Sequence, residues 1–410
     1  MENILIQDFD AAQALSYSAF AGRVQQSDDQ HHLDIVEKER TSALPWRGQF
    51  SPQLIEYLLA KHCKKGDRIL DPFCGSGTVL REAARGDFSA LGMDVNPAAV
   101  CLAKVSELAG MKPDFRWPLV ERIRQFSRDL QLSSDEQGII EAGKAAELFF
   151  SLQLDAQEKI ALEGVLLFLF SNAKSIAVNK VEKGVDRYLS VAFDTNNSQC
   201  KIEARVGDAR AINEADNTFD YLVTSPPYIN VFNYHQNYRP IIEALGHTPL
   251  TAAKSEIGAN RKFRQNRYMT VVQYCMDIAQ FFVEAGRVLK DNAKITIVLG
   301  RESNVRSVSF KNSELISAIA CEGMGYELTD WNERKFMNRF GESIYEDVLT
   351  MIPQQYSHDK AVEIGRAVGA QALRNALEYC PEDRCVEISD AIASANKITP
   401  SPLIGSVVNG

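Results

Sequence analysis

Between Arg68 and Gly110 the chain runs through one plan twice, with almost no slack: a short apolar run, a tight turn, a helical stretch. In "RILDPFCGSGTVLREAARG" the run Arg68–Leu70 leads into a glycine-bearing turn and a helix closed by Gly86. In "SALGMDVNPAAVCLAKVSELAG" the run Ala90–Met93 ends on Asp94, and Asn96-Pro97 open a helix that stops near Gly110. Strand and helix alternating through loops this short point to parallel strands with helices packed on their faces. The preceding "FSPQLIEYLLAKHCKKG" reads as a helix with Ser51 as N-cap, Pro52 at the first position and Gly66 just past the end.

Strands recur at Lys201–Val206, at Phe219–Thr224 and in "AKITIVLG". "YELTDWNERKF" and "YEDVLTMIP" read as two strands joined by a hairpin through "MNRFGESI". The expected fold is therefore α/β, a doubly wound sheet of seven strands whose last pair is antiparallel. Residues 1–42 read as a polar N-terminal extension, with Gln25–His32 as solvated loop. The sheet domain occupies 43–110 and 200–353, interrupted at 111–199 by an insertion with helical periodicity and no strands. Residues 354–410 form a tail with two weak helical stretches.

Charge narrows the partners. The net charge is −9 over 410 residues, which excludes a uniformly basic nucleic-acid coat and leaves room for a local basic patch. Residues 231–270 supply one: Arg239, Lys254, Arg261, Lys262, Arg264 and Arg267 stand among Phe232, Tyr234, Tyr238, Phe263 and Tyr268. Such a stretch is either a solvated loop or a surface on which cations hold phosphates. The eight cysteines include no C-x-x-C pair, so no metal site is expected. "MENILIQDFD" has no export signal, and the longest apolar run, Val165–Phe170, is far too short to cross a bilayer. A soluble, reducing, cytoplasmic protein is expected, with monomer and dimer both open.

Four motifs carry chemistry. Asp71-Pro72-Phe73-Cys74-Gly75-Ser76-Gly77-Thr78 sits between strand and helix, where glycines let the backbone approach a ligand and the helix start offers N–H groups. Alone it is also an ordinary strand–helix turn. Asp94, about twenty residues further on at the end of the next strand, is placed to accept ribose hydroxyls or to cap the following helix. No lysine follows the glycines and the next cation is Arg81, so the turn suits a ribosyl ligand without a phosphate. Asp208, in Gly207-Asp208-Ala209-Arg210, ends a third strand, where its carboxylate or backbone can face an adenine amino group or serve structure alone. Ser225-Pro226-Pro227-Tyr228 ends a fourth. Its prolines stiffen the backbone and aim carbonyls, Ser225 adds a hydroxyl acceptor and Tyr228 a stacking face. That set suits a planar group bearing an NH₂, or simply terminates a strand.

Together, DPFCGSGT, GMDVNP, GDAR and TSPPY resemble the S-adenosylmethionine-dependent amino methyltransferases of DNA, which modify cytosine N4 or adenine N6. The resemblance covers roughly residues 43–353 and implies a Rossmann-like methyltransferase sheet of seven strands. It implies that S-adenosylmethionine is the cofactor and that Asp71, Phe73, Gly75, Ser76, Gly77 and Thr78 hold its methionine part, with Asp94 at the ribose and Asp208 by the adenine. "LPWRGQFSP", Leu44–Pro52, looks like the family's further cofactor motif. Ser225, Pro226, Pro227 and Tyr228 become the catalytic set acting on a base flipped from double-stranded DNA, and Arg261, Lys262, Arg264 and Arg267 a DNA-contacting segment. The family's adenine enzymes more often carry Asp or Asn where Ser225 stands, so cytosine N4 is expected and adenine N6 is the alternative. An RNA methyltransferase, a protein-glutamine one, or a non-catalytic DNA-recognition subunit are the other readings. The insertion departs from the family layouts, which leaves the place of sequence readout open.

Overall fold

The computed structural model describes residues 9–20, 22–25, 27–35, 40, 44–46, 48–194, 199–229, 234–259, 263–337 and 341–405. The chain forms the expected seven-stranded mixed sheet, a Rossmann-like α/β fold. It divides into two compact units, one of residues 39–207 and 233–253, the other of 1–38, 208–232 and 254–410.

In the first unit, helix α1 (Pro52–His62) precedes β1 (Arg68–Asp71), α2 (Thr78–Arg85), β2 (Ser89–Asp94) and α3 (Pro97–Lys104). After the insertion comes β3 (Ile202–Val206), and the strands lie in the order β1-β2-β3, all parallel. Ile69, Leu70, Leu91 and Met93 are buried, as continuous apolar runs in a sheet covered on both faces must be. Pro52 takes the first position of α1 as expected, but the helix ends at Cys63, and Ser51 makes no side-chain cap.

The insertion folds as four helices, α4 (Pro113–Leu132), α5 (Ala142–Phe150), α6 (Ala156–Phe170) and α7 (Val181–Ala192), around Ile123, Phe126, Leu162, Leu166, Val185 and Tyr188. Asp155 and Glu158 start α6 with a reciprocal capping box. The expectation of an insertion without strands needs correction: Ile139–Glu141 pairs antiparallel with Ser175–Ala177. Segments of three residues are too short to show a period of two in the sequence.

In the second unit, β4 (Phe219–Thr224) is followed by α8 (Met269–Val288), β5 (Leu289–Gly300), β6 (Glu327–Met337), β7 (Ser343–Ile352), α9 (His358–Ala376) and α10 (Cys385–Ser394). The order is β4-β5-β7-β6, with β4 and β5 parallel and both β7 pairings antiparallel. Helix α8 is buried along almost its whole length. Helix α9 crosses it so closely that a Cβ on Gly365 would lie 2.4 Å from the Cys275 carbonyl oxygen, and one on Gly369 2.6 Å from the Val272 Cα. The reading of Gln25–His32 as solvated loop also needs correction. Gln25 donates its N–H to the Trp331 carbonyl (2.8 Å), Gln30–Asp34 is a short helix, and Gln30 Nε2 donates to the Glu333 carbonyl (2.7 Å). The Gln25 backbone and the Gln30 side chain thus cover the open edge of β6, whose unpaired backbone groups need partners.

Among the described residues no helix is long and apolar enough to cross a membrane. Among them, too, no group of three or more His, Cys, Asp or Glu is placed to hold a metal.

Candidate active site

In the first unit the glycine turn is built on β1 and β2. Asp71 is buried at the end of β1 and accepts from the Phe73 N–H (3.3 Å), and the Cys74 N–H donates to the Met93 carbonyl (2.8 Å). Gly75 and Gly77 have φ of +49° and +85°, the left-handed region that glycine adopts without strain. A Cβ on Gly77 would sit 2.9 Å from the Ala103 Cα, so the turn rests directly on α3. Asp94 is half-buried at the end of β2, where its Oδ2 accepts from the Gly75 N–H (3.2 Å) and its Oδ1 from the Asn96 N–H (2.8 Å). Capping of α3 falls to Asn96, whose side chain accepts from the Ala98 N–H (2.9 Å). The helix-cap role open to Asp94 in the sequence is thus taken by its neighbour.

Leu44, Trp46 and Gln49 lie beside this turn. Gln49 Nε2 donates to Ser76 Oγ (2.8 Å) and to the Leu44 carbonyl. The Trp46 ring faces Gly75, where a Cβ would approach it to 3.0 Å. Trp46 stacks with Tyr234 and Tyr238, at interplanar angles of 9° and 8°. Asn96 Nδ2 donates to the Tyr234 carbonyl (3.0 Å). Two aromatics that the sequence groups with the basic segment therefore stand beside the glycine turn. The set fits a nucleoside-type cofactor: a glycine turn, a carboxylate at the end of β2, an aromatic wall. Arg81, the first cation after the glycines, is held by Asp194 and the Val191 carbonyl (both 2.6 Å).

The remaining motif residues lie in the second unit. Asp208 is buried, and its oxygens accept from Arg210 Nε (2.9 Å) and Nη2 (2.8 Å), with the Ile404 N–H at 3.2 Å. Arg210 Nη1 also meets Asp277 Oδ1 (2.8 Å). Burial alone would lower the Arg210 pKa, but Asp277 and Asp208 outweigh it and hold it above its ordinary value. Its carboxylate is thus engaged in this cluster, and its carbonyl accepts from the Ala211 N–H (3.0 Å).

Ser225 and Tyr228 close the end of β4, with Ser225 Oγ 3.4 Å from the Tyr228 hydroxyl. Tyr228 is half-buried and rests on Gly300, where a Cβ would touch its ring at 3.2 Å. Its carbonyl rests on Gly258, where a Cβ would lie 2.4 Å away. Burial and then the Glu346 carboxylate push the phenol up to about 12, so it stays protonated at neutral pH. Among the described residues the Tyr274 hydroxyl is buried without a hydrogen-bond partner. Of the basic segment, Arg264 is exposed and Arg267 half-buried, whereas Arg261 and Lys262 lie outside the described residues. Asn266 ties this segment to α10 through the Glu387 carbonyl (2.6 Å). Sequence reasoning missed Arg334 and Glu346 beside Tyr228, because runs of charge such as Glu333-Arg334-Lys335 and Glu346-Asp347 look like a solvated edge.

The family model for N6/N4 DNA methylase matches residues 8–105. A Type II methyltransferase, M.MjaII of Methanocaldococcus jannaschii, is 32% identical over 123 residues, which is 28% of this chain and 22% of that protein. The chain thus spans under a quarter of the length of the curated relative it matches. Among solved structures, an S-adenosylmethionine-dependent methyltransferase from Methanosarcina mazei aligns over 73% of this chain and 98% of its own, at 13% identity and a TM-score of 0.35. The rRNA methyltransferase aviRa of Streptomyces viridochromogenes aligns over 84% and 99%, at 13% identity and a TM-score of 0.32. The resemblance to the amino methyltransferases of DNA read from the motifs is thus met by a family model and a curated relative. S-adenosylmethionine is the cofactor that this likeness implies.

Proposed function

We propose that this chain, similar to the DNA amino methyltransferases, methylates the exocyclic N4 of cytosine in duplex DNA of the cytoplasm. Adenine N6 is the alternative target of the same chemistry. The observation that carries the reading is the Ser225–Tyr228 corner: a hydroxyl acceptor and a phenol 3.4 Å apart at the end of a parallel strand, stiffened by two prolines.

S-adenosylmethionine, when bound, supplies an electrophilic methyl group. The turn Asp71–Thr78, with Phe73, Gly75, Ser76 and Gly77, would hold its methionine part, Asp94 its ribose and the Asp208 backbone its adenine. Trp46 would wall the same cradle. On the substrate side the base has left the helix stack. Its amino nitrogen is a weak nucleophile because the lone pair is delocalised into the ring. Ser225 Oγ and the Pro226 carbonyl accept the two amino hydrogens and draw that lone pair out, acting as acceptors fixed in advance where positive charge develops. Pro227 keeps the corner rigid, and Tyr228 gives the base a face to stack on. Arg261, Lys262, Arg264 and Arg267 hold phosphates.

The test is transfer of a labelled methyl to double-stranded DNA by the purified chain. Ser225→Ala and Tyr228→Ala are each expected to lower the rate roughly 100-fold or more while cofactor binding is retained. Full activity in the double variant rejects the mechanism. Label on RNA instead of DNA moves the protein to an RNA substrate, and DNA binding without transfer leaves a recognition subunit.

A further inference from the structure

A row of residues runs outward from Tyr228 across three strands. Glu346 lies directly opposite Gly300 in the β5–β7 ladder, and Arg334 directly opposite Glu346 in the β7–β6 ladder. Directly opposed residues on antiparallel neighbours point to the same face of the sheet, with Cβ atoms about 5 Å apart. A Cβ on Gly300 would meet the Tyr228 ring at 3.2 Å, so this is the face on which Tyr228 lies. Arg334 Nη1 meets Glu346 Oε2 at 3.3 Å, and the two side chains are only 4% and 20% exposed. Both groups act on the Tyr228 hydroxyl.

Stability gives a poor account of this pair. Removing two charges from water costs several kcal/mol per ion unless every donor and acceptor finds a partner. Among the described residues Arg334 Nε is buried without one, as is the Tyr274 hydroxyl. The Phe336 ring lies 4.9 Å from the guanidinium carbon. Arg334 therefore keeps one buried donor open to a further partner.

We propose that Arg334, held in place by Glu346, reads the target base by donating its parallel Nε–H and Nη2–H bonds to N3 and O2 of cytosine. The inference rests on the reading that Ser225–Tyr228 receive the base. With the amino group at Ser225, cytosine presents two adjacent acceptors, N3 and O2, which match the guanidinium fork. Adenine presents one acceptor, N1, and a C–H beside it, leaving one buried charged donor unpaired. A donor stranded in that way amounts to discrimination of roughly 10- to 100-fold. Arg334 is then the residue that fixes the reaction on cytosine, where Ser225 and Tyr228 alone accept either amino group.

The experiment gives the purified full chain unmethylated bacterial DNA and labelled S-adenosylmethionine, then quantifies N4-methylcytosine and N6-methyladenine after digestion to nucleosides. Wild type is expected to yield N4-methylcytosine. Arg334→Lys keeps a cation facing Glu346 but loses the fork, and is expected to lower kcat/KM roughly 10- to 100-fold with S-adenosylmethionine affinity unchanged. The double variant Arg334→Met, Glu346→Met removes the pair without stranding a charge, and the same loss is expected. A further measurement needs no variant: once the methylated site is mapped, 2-thiocytosine there keeps the amino group and weakens the O2 acceptor, and should be methylated about tenfold more slowly. If wild type yields neither product, the amino-transfer reading itself fails. N6-methyladenine alone keeps that reading and overturns the role of Arg334. N4-methylcytosine at equal rates from 2-thiocytosine DNA, or from variants that fold and bind cofactor, leaves Arg334 a structural ion pair and overturns the inference.

Discussion

A carboxylate at the end of a parallel strand can start the next helix or hold a ligand, and here Asn96 takes the first task from Asp94. Asn96 caps α3 through the Ala98 N–H, while the Gly75 and Asn96 N–H groups orient Asp94 at the mouth of the glycine turn. Hydrogen bonds to a charged group contribute about 1.5–3 kcal/mol each. Asp94→Ala is therefore expected to weaken S-adenosylmethionine binding roughly 10- to 100-fold, read by titration calorimetry, with little change in fold because Asn96 still caps the helix. Unchanged affinity would make Asp94 a brace for Gly75 and nothing more. This position was legible in the sequence because the acid falls at the strand's end and at the right distance from the glycines. Trp46 was legible only as part of a motif, since nothing local tells a tryptophan that it will face Gly75.

At the scale of elements, the basic segment after the Ser225–Tyr228 corner is fastened at its far end, where Asn266 binds the Glu387 carbonyl of α10 and leaves Arg264 exposed. A cation presented in that way suits a phosphate backbone. Replacing Arg261, Lys262, Arg264 and Arg267 with Ala should weaken binding to duplex DNA and flatten its log–log salt dependence by about 0.9 for each phosphate no longer neutralised. Fluorescence anisotropy over a salt series reads the slope, and an unchanged slope takes the segment out of the interface. The main strands and helices were legible because each has a period and a boundary residue. What escaped lacked one or the other. The hairpin of Glu302–Val305 and Val308–Lys311 turns through Arg306 and Ser307 at φ of +48° and +71°, with none of the glycine or asparagine that usually marks such a turn. Arg334 and Glu346 stand in short runs of charge, as solvent-facing residues do, and only the register across β5, β7 and β6 puts them in a row with Gly300.

On the scale of the whole molecule, a chain of net charge −9 would have to meet a polyanion through local chemistry, and in the second unit the C-terminal residues close a buried charge cluster. Arg210 is fully buried between Asp208 and Asp277, and the stretch 399–404 completes its shell. The carbonyls of Ser401 and Pro402 accept from Arg210 (3.0 and 3.2 Å), Ser401 donates its N–H and hydroxyl to Asp277 (2.8 and 2.7 Å), and the Ile404 N–H donates to Asp208 (3.2 Å). Burial pushes the Asp277 pKa up, while Arg210 and Ser401 work against it, so removing Ser401 leaves a buried carboxylate with less to hold its charge. Breaking a buried charge network by removing partners costs about 3–5 kcal/mol, far more than loss of a surface strand of chain. Truncation after Ile398 should therefore lower the unfolding free energy by about 3–5 kcal/mol, and with it the denaturation midpoint, and Ser401→Ala should lower both by a smaller margin. If the truncated chain unfolds at the wild-type midpoint, the tail is an ornament on Arg210. If it is destabilised and also loses methyl transfer, the position of Asp208 depends on a segment nearly two hundred residues away in the sequence.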